Sequence, residues 1–176
     1  MEVFEAIAKR SSARAYAQTP LTEEELEKII TAGLQAPTGR NEKEIRFSVV
    51  KGGSPILEEI DEQMRKDFNI NKGPHNFYYE APCVILLSAK TGFKWSAVDA
   101  GIAVENMSIA AEALGLGNLI IGCIYDTLNG ERKDYFNKAL KVPEGYNFEI
   151  AIALGHRTDS KAQHEYNKAE QVFYVD

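Results

Sequence analysis

Residues 95–114 read WSAVDAGIAVENMSIAAEAL, and the fold depends on this stretch more than on any other. Its small side chains leave almost no bulky polar face; they are Ala97, Ala100, Gly101, Ala103, Ala110, Ala111 and Ala113. A helix that is apolar nearly all round is buried. In a chain of 176 residues the simplest complete burial is against a second copy, which predicts a homodimer with this helix, Ala103 included, near the two-fold axis. A central helix in a monomer is the alternative.

Apolar runs on either side of this helix predict a sheet. The continuous run at 83–87 is typical of a strand that is buried on both faces. The other runs with strand character are residues 47–50, 118–124 and 148–154. Thr22 and Glu25 form a capping box at the start of one of the intervening helices. The sequence therefore predicts one domain over residues 1–176, in which helices cover a core sheet.

The C-terminal segment changes character twice. Residues 158–168 are polar, and residues 172–175 are apolar again. An apolar tail after a polar arm needs a partner surface, and β-augmentation of a second subunit's sheet would provide one. We therefore expect residues 156–176 to form a C-terminal arm that reaches the partner subunit.

The composition restricts the class of protein. The formal net charge is −6 and the pI is about 5.2, which argue against nucleic acid as the main partner. No stretch approaches the ~20 apolar residues of a membrane span, and the N-terminus lacks signal-peptide features, so we expect a cytoplasmic protein without membrane contact. Cys83 and Cys123 lie in apolar runs and are predicted to be buried thiols in strands, with no disulfide and no metal.

A run of cations and hydroxyls follows the first amphipathic helix. Residues 9–14 read KRSSAR, which places three cations and two serines together in an acidic chain. Guanidinium groups bind phosphate oxygens bidentately, and serine hydroxyls can add bonds to the same group. The run is consistent with a binding site for a phosphate monoester. A solvated basic turn is the alternative, and it is the simpler interpretation if the run is taken alone.

Five short motifs occur in a fixed order along the chain. They are RSSARAY at 10–16, APTGRN at 36–41, the helix with DAGIAVEN at 99–106 and EALGLG at 112–117, IIG at 120–122, and LGH at 154–156. Each is weak alone, but the five in register resemble the FMN-dependent nitroreductase family over nearly the whole chain. The chain is thereby identified as a short, single-domain member of that family.

The resemblance implies an α+β fold with a mixed, mainly antiparallel central sheet flanked by helices, in an intertwined homodimer with two FMN sites at the interface. It also implies an enzyme, an FMN-dependent NAD(P)H oxidoreductase. NADH or NADPH would deliver hydride to flavin N5 and leave before a small electron-poor acceptor, such as a nitroaromatic or quinone, enters in a ping-pong cycle. The alternatives are a non-catalytic or sensory flavin-binding protein of this fold and a phosphate-binding module without flavin.

By the same resemblance, the phosphate end of the cofactor falls on the basic run. Arg10 and Ser12 would hold the phosphate, and Ser11 would contribute through its backbone or its hydroxyl. The family also has cations near the C-terminus, and Lys168 is the residue that matches this pattern.

The ring end of the cofactor falls on two other motifs. Arg14 would reach the pyrimidine edge of the flavin, where a cation favours the reduced form. Gly122 would present its amide to N5, with Ile121 beside it. The flavin carries the chemistry, so no catalytic acid or base is expected, and Arg14 and Gly122 adjust it. The contacts supplied by the other subunit would be Pro37, Thr38, Gly39 and Asn41.

One loop departs from the family pattern. Lys43, Glu44 and Ile45 stand where the family usually has glutamine, proline and tryptophan. Lys43 brings a charge where a neutral amide is usual, so the flavin potential or the accepted substrate is expected to differ. A further flavin contact is expected from the segment 69–72.

Overall fold

A computed structural model of the chain describes residues 1–162 and 164–175. The stretch quoted above forms the longest helix, Ser96–Ala113. Within the described residues there are seven α-helices: Val3–Lys9 (α1), Glu23–Leu34 (α2), Pro55–Asp67 (α3), Ser96–Ala113 (α4), Tyr125–Asn129 (α5), Lys133–Ala139 (α6) and Lys168–Gln171 (α7). The strands are Arg46–Lys51 (β1), Cys83–Lys90 (β2), Gly117–Ile121 (β3) and Tyr146–Gly155 (β4).

The four strands form one sheet in the order β1-β2-β4-β3. Every neighbouring pair of strands is antiparallel. The register places Ile85, Ile152 and Ile120 side by side across β2, β4 and β3. A single parallel bridge joins Ser12 to Asn118 beside β3. The expected α+β fold with a mainly antiparallel sheet is confirmed.

Both faces of the sheet are covered by helices, as the apolar run of β2 predicted. Ile85 and Leu87 point towards α4, where they belong to one core cluster with Ala103 and Met107. Val84 and Leu86 point the other way and pack in a second cluster, which includes Leu57 of α3 and Phe136 of α6. This alternation follows from the two-residue period of a strand. The structure is therefore a helix–sheet–helix sandwich with two apolar layers.

The surroundings of α4 differ from the expectation of a helix buried all round. Ala103 is enclosed in the core between α4 and the sheet, so its predicted place at a two-fold contact is wrong. The face of α4 that the single chain leaves exposed carries Val98 and Ile102. Ala100, Ala103 and Ala111 pack closely in the core, while Val98 and Ile102 remain without cover in the single chain.

The structure corrects the expectation for Cys123 and does not test the expectation for the C-terminal arm. Cys83 is buried in β2 as predicted, but Cys123 is exposed, because β3 ends at Ile121 and the chain turns there. Residues 172–175 of the arm are exposed and pair with no strand of the described chain, so their pairing with a second subunit stays a prediction. Among the described helices, none has both the length and the apolar character needed to cross a bilayer.

Gly117 lies where β3 approaches two other segments closely. A Cβ added at Gly117 would lie 2.6 Å from Cβ of Arg157 and 2.9 Å from Cβ of Ala13. Gly117→Ala is therefore expected to lower the free energy of unfolding by about 1–3 kcal/mol, measured by urea denaturation, since a packed site has no room for the methyl group. Gly73→Ala is the matched control, because no atom lies within 4 Å of its added Cβ. An unchanged urea midpoint for Gly117→Ala would contradict this close approach.

Candidate functional site

The basic segment 10–14 leaves α1 and runs beside the start of β3. Ser12 forms a parallel bridge with Asn118, and the amide of Ala13 donates a 2.8 Å hydrogen bond to the Asn118 carbonyl. Asn118 is itself buried, and its side chain bonds to Ser108 of α4. The segment is thus fixed to the sheet and, through Asn118, to α4.

Arg157 lies beneath this segment and was not singled out by sequence reasoning. Its Nη1 donates to the Ser11 hydroxyl at 3.1 Å, and its Nε donates to Asp159 at 3.2 Å. The second carboxylate oxygen of Asp159 accepts the backbone N–H of Arg14 at 2.8 Å. Glu112 at the end of α4 lies 4.0 Å from Nη1 of Arg157. One guanidinium therefore connects α4, the segment after β4 and the basic segment.

The Arg157 guanidinium also has a nitrogen that takes no part in these contacts. Its Nη2 is buried and has no hydrogen-bond partner among residues 1–162 and 164–175. A buried donor of a cationic group without an acceptor is unfavourable, so an anion held nearby would be favoured. The Ser11 hydroxyl accepts this bond from Arg157, so its own O–H, like its backbone, is left for a contribution to a ligand.

The two arginines of the basic segment extend towards solvent. Nη2 of Arg10 lies 3.0 Å from Nε2 of His164 in the C-terminal arm. Burial raises the pKa of Glu105 on α4, and the positive charge of Arg10 opposes that shift. The Arg14 guanidinium lies 5.8 Å from the ring centroid of Tyr79. Arg10 and Arg14 thus place two cations on the solvent side of the segment, whereas Arg157 contacts the segment from the protein interior.

The C-terminal residues clamp the same segment through backbone bonds. Tyr16 forms an antiparallel bridge with Arg157, and Thr158 donates its N–H to the Ala15 carbonyl at 2.9 Å. The amide of Ala17 donates to the His156 carbonyl at 2.8 Å. The basic segment is therefore held between β3 and residues 156–158.

Gly122 follows the last residue of β3 and lies in open space. No atom lies within 4 Å of the position where its Cβ would be. The side chain of Ile121 is buried in the core, so only its backbone can reach a ligand. At the usual rise of a strand, Gly122 lies about 13 Å from Asn118, where the basic segment crosses. An exposed backbone position and a cationic segment thus occupy the two ends of one strand.

The second candidate group, residues 37–41, forms a strained turn after α2. Gly39 donates its N–H to Oδ2 of Asp99 at 2.8 Å, and the hydroxyl of Thr38 accepts the N–H of Lys43 at 3.0 Å. Arg40, Asn41 and Lys43 all have positive φ angles near 55°, which is costly for residues other than glycine. A Cβ at Gly39 would collide with Trp95 at 2.9 Å. The turn is held tightly against the N-terminus of α4.

The two groups lie at opposite ends of α4. Asp99 in the first turn of α4 holds Gly39, whereas Glu112 in the last turn faces Arg157. At 1.5 Å per residue, Asp99 and Glu112 are separated by about 20 Å along the helix. The structure therefore does not bring the residues 37–41 and the basic segment together within one chain.

The remaining predicted site residues lie apart from both groups. Lys168 begins α7 in the exposed arm, and no described hydrogen bond or ion pair joins its side chain to the basic segment. The loop 70–77 is anchored by Arg65, which pairs with Asp61 at 2.6 Å and donates to the carbonyls of Asn71 and His75. A cavity of about 620 Å³ lies between this loop and α3, and it is lined by residues 70–72 of the segment expected to contact the flavin but by none of the other residues assigned to FMN.

Comparison with known proteins agrees with this fold and these motifs. A sequence model described as the Nitroreductase family matches residues 7–156. The chain belongs to the nitroreductase family. This member is 28% identical to the FMN reductase [NAD(P)H] of Bacillus subtilis over 92% of its own length and 68% of that protein.

Solved nitroreductases have the same fold as this family member. One from Bacteroides fragilis, with bound FMN, is 26% identical and superposes with a TM-score of 0.89 over the whole of both chains. Another from Desulfitobacterium hafniense, also with bound FMN, is 28% identical with a TM-score of 0.89, again over the whole of both chains.

Arg157 provides a test of how the basic segment is held. Arg157→Ala would leave the carboxylates of Glu112 and Asp159 without their cation, so we expect a loss of about 3 kcal/mol in the free energy of unfolding, measured by urea denaturation. Lys28→Ala is the control, because it removes an exposed pair with Glu24 and is expected to cost less than about 0.5 kcal/mol. Equal urea midpoints for the two variants would show that Arg157 is not a structural support.

Proposed function

We propose that this nitroreductase-family protein is an FMN-dependent NAD(P)H oxidoreductase that reduces a small electron-poor acceptor, such as a nitroaromatic or a quinone. The observation that carries the proposal is the arrangement along β3. A cationic segment with Arg10 and Arg14 crosses one end of this strand, and the open backbone of Gly122 lies at the other. A ligand with a phosphate at one end and a hydrogen-bonding ring at the other fits these two features.

The donor set is suited to FMN. Arg10 and Ser12 would hold the phosphate, with the backbone of Ser11 and the charge of the buried Arg157 behind them. In the dimer Lys168 would bring a further cation. FMN bound here would supply two-electron chemistry, taking hydride from NAD(P)H and passing it to the acceptor in a ping-pong cycle.

The chain's own residues would orient the ring and adjust its charge. Arg14 would place a fixed cation at the edge of the ring where negative charge develops on reduction, and such preorganised charge lowers the barrier. Gly122 would offer its N–H without a side chain in the way. Neither role requires a side chain that gains or loses a proton, which agrees with a site built of cations and backbone amides.

We propose that the complete site is formed by a homodimer. Residues 37–41 and the basic segment lie at opposite ends of α4, so a two-fold axis across α4 would bring each group to its counterpart on the partner. The single chain also exposes large apolar side chains on α1, α2, α4 and the C-terminal arm, which contact with a partner would cover. These side chains are Phe4, Ile7, Leu34, Val98, Ile102, Phe173, Tyr174 and Val175.

A flavin-binding protein without fast turnover is the second candidate function. The observation that favours it is the loop with Lys43 and Glu44, where the family usually has neutral residues. The cationic segment is the same in both cases, so cofactor binding does not separate the two candidates. Reduction of bound flavin by NADH or NADPH separates them, because only the enzyme is reduced quickly.

The cofactor proposal predicts different effects for two neighbouring arginines. Arg10→Ala is expected to weaken FMN binding about 10- to 100-fold, since a charge-assisted bond to the phosphate is lost. Arg14→Ala is expected to retain FMN but to be reduced by NAD(P)H at least about tenfold more slowly, since the cation at the ring is lost. Binding is measured by quenching of FMN fluorescence, and reduction by anaerobic bleaching of the flavin spectrum as NADH or NADPH is added.

Lys9→Ala is the matched control for these variants. It removes a cation next to Arg10 that is paired with Glu5 at the surface, and it should leave FMN affinity unchanged. FMN that binds but is not bleached by either nucleotide would favour the non-catalytic candidate. Failure of the unsubstituted protein to retain FMN would exclude both candidates.

The dimer proposal is tested at the exposed face of α4. Ile102→Glu would place a carboxylate in an apolar interface, so we expect the mass measured by light scattering to fall from a dimer to a monomer, with loss of bound FMN. Lys138→Ala changes the net charge equally at an exposed position on α6 and should leave the dimer intact. A dimer that persists in Ile102→Glu would place the interface elsewhere.

A further inference from the structure

Glu44 is a buried acid with no visible counterpart. Its residue is only 3% exposed, and both carboxyl oxygens lack a hydrogen-bond donor among residues 1–162 and 164–175. Burying an ionised carboxylate without donors is very unfavourable, and such a group normally keeps its proton instead. It also stands at one of the positions where the chain departs from the family pattern. The burial of the Glu44 carboxyl without donors therefore needs a physical explanation.

The group that faces Glu44 is a second carboxyl, that of Asp99. Asp99 is equally buried, at 3% exposure, and its carboxyl is adjacent to that of Glu44. Burial first, and the carboxyl of Asp99 after it, raise the pKa of Glu44, and the nearby Glu42 acts in the same direction. Two adjacent buried carboxyls share a proton, because both cannot be charged at low cost.

Cations near Glu44 do not neutralise it. Arg40 at the turn and Lys90 at the end of β2 line a cavity of about 210 Å³ together with Glu42 and Glu44. Neither forms an ion pair with Glu44 in the described chain. In the described chain, therefore, no ion pair neutralises this acid.

Asp99 in turn holds the strained turn. Its Oδ2 accepts the N–H of Gly39 at 2.8 Å, and the following residues Arg40, Asn41 and Lys43 have left-handed backbone angles. Such conformations persist only where the surrounding bonds hold them. The orientation of the Asp99 carboxyl therefore contributes to the shape of the turn, and Glu44 is the acid adjacent to that carboxyl.

We propose that Glu44 is a neutral carboxylic acid at physiological pH, donates its proton to Asp99, and thereby fixes the turn 38–43. Glu44 is then a positioning residue, since it acts through Asp99 on Gly39. The consequence for the cofactor rests on the proposed function, in which Thr38, Gly39 and Asn41 contact FMN. Loss of the proton would put two negative charges side by side and loosen the turn, so FMN affinity should fall as pH rises.

The sign of the pH effect on stability follows from linkage. The folded state binds the Glu44 proton more tightly than the unfolded state, because the pKa of Glu44 is raised on folding. Its contribution is fully present below the unfolded pKa and is lost as pH rises through the folded pKa. Between about pH 5 and about pH 9, the protein should therefore lose thermal stability relative to Glu44→Gln, by about 3 °C for each unit by which the pKa is raised.

The first experiment observes the proton without FMN. The infrared spectrum of the unsubstituted protein at neutral pH is compared with that of Glu44→Gln, whose amide can still donate to Asp99. We expect the carbonyl band of a protonated carboxylic acid in the unsubstituted protein and its loss in Glu44→Gln. Absence of that band at neutral pH would overturn the proposal, whatever the protein binds.

The second experiment measures the dissociation constant of FMN from about pH 5 to about pH 9. The unsubstituted protein should bind FMN about tenfold more weakly at the upper end, whereas Glu44→Gln should change little. Glu42→Gln is the matched control, since it removes an exposed carboxyl of the same turn and should keep a pH dependence that is displaced to lower pH, because Glu42 contributes to the raised pKa of Glu44. A pH dependence that survives in Glu44→Gln would overturn the role of Glu44 in positioning the turn.

Negative results in the two experiments contradict different claims. If no variant binds FMN at any pH, the proposed function fails, and the infrared band and the stability difference still decide the protonation of Glu44. If FMN binds and the band is missing, the inference about Glu44 fails while the proposed function stands.

Discussion

The close contact between α4 and the central strands determines the position of the other functional elements. Alanines at positions 100, 103 and 111 are almost fully enclosed there, and their small size lets the helix axis approach the sheet. A helix that is packed so closely has little freedom to turn or slide. Asp99 and Glu112, near its two ends, are therefore fixed points to which loops can be attached. Each attaches one half of the candidate site.

A cationic segment on an acidic protein requires local organisation of charge. The chain carries a net charge of −6, yet Arg10, Arg14 and Arg157 converge near the start of β3. Glu112 and Asp159 hold Arg157 in place without surrounding it completely, since one of its nitrogens keeps no partner in the described chain. The same carboxylates that stabilise the arginine thus set how much positive charge remains for an anion. Affinity for a phosphate depends on this local balance, whatever the sign of the whole molecule.

Much of the fold could be predicted from the sequence, because it depends on local patterns. The apolar run of β2 and the capping box at Thr22 each have one plausible structural interpretation. The predictions were wrong where a pattern allowed two structural interpretations. The alanines of α4 suit either a sheet or a second helix, and the structure uses Ala103 for the sheet. Cys123 lies in an apolar run but beyond the end of its strand.

The site was predictable only in part, because its supports are distant in sequence. The residues that match family motifs could be named, whereas Arg157, Asp159 and Asp99 could not. Nothing near Arg157 in the chain indicates that it will contact Ser11, since that contact spans most of the sequence. A lone buried glutamate likewise has no local signature. The one available signal for Glu44 was its departure from the family pattern, and only the fold shows that Asp99 faces it.

The clamp that residues 156–158 place on the basic segment has a consequence for how the chain is made. The segment leaves the ribosome before β4 and its clamp leaves after β4, so a fragment that ends before β4 cannot hold the arginines in their final arrangement. Contacts between such distant parts of a chain also slow folding, because the intervening loop must close before they form. A nascent chain that lacks β4 therefore presents these arginines without their final arrangement. Ligand binding by the arranged segment therefore requires that β4 and residues 156–158 have been synthesised and have packed against the N-terminal part of the chain.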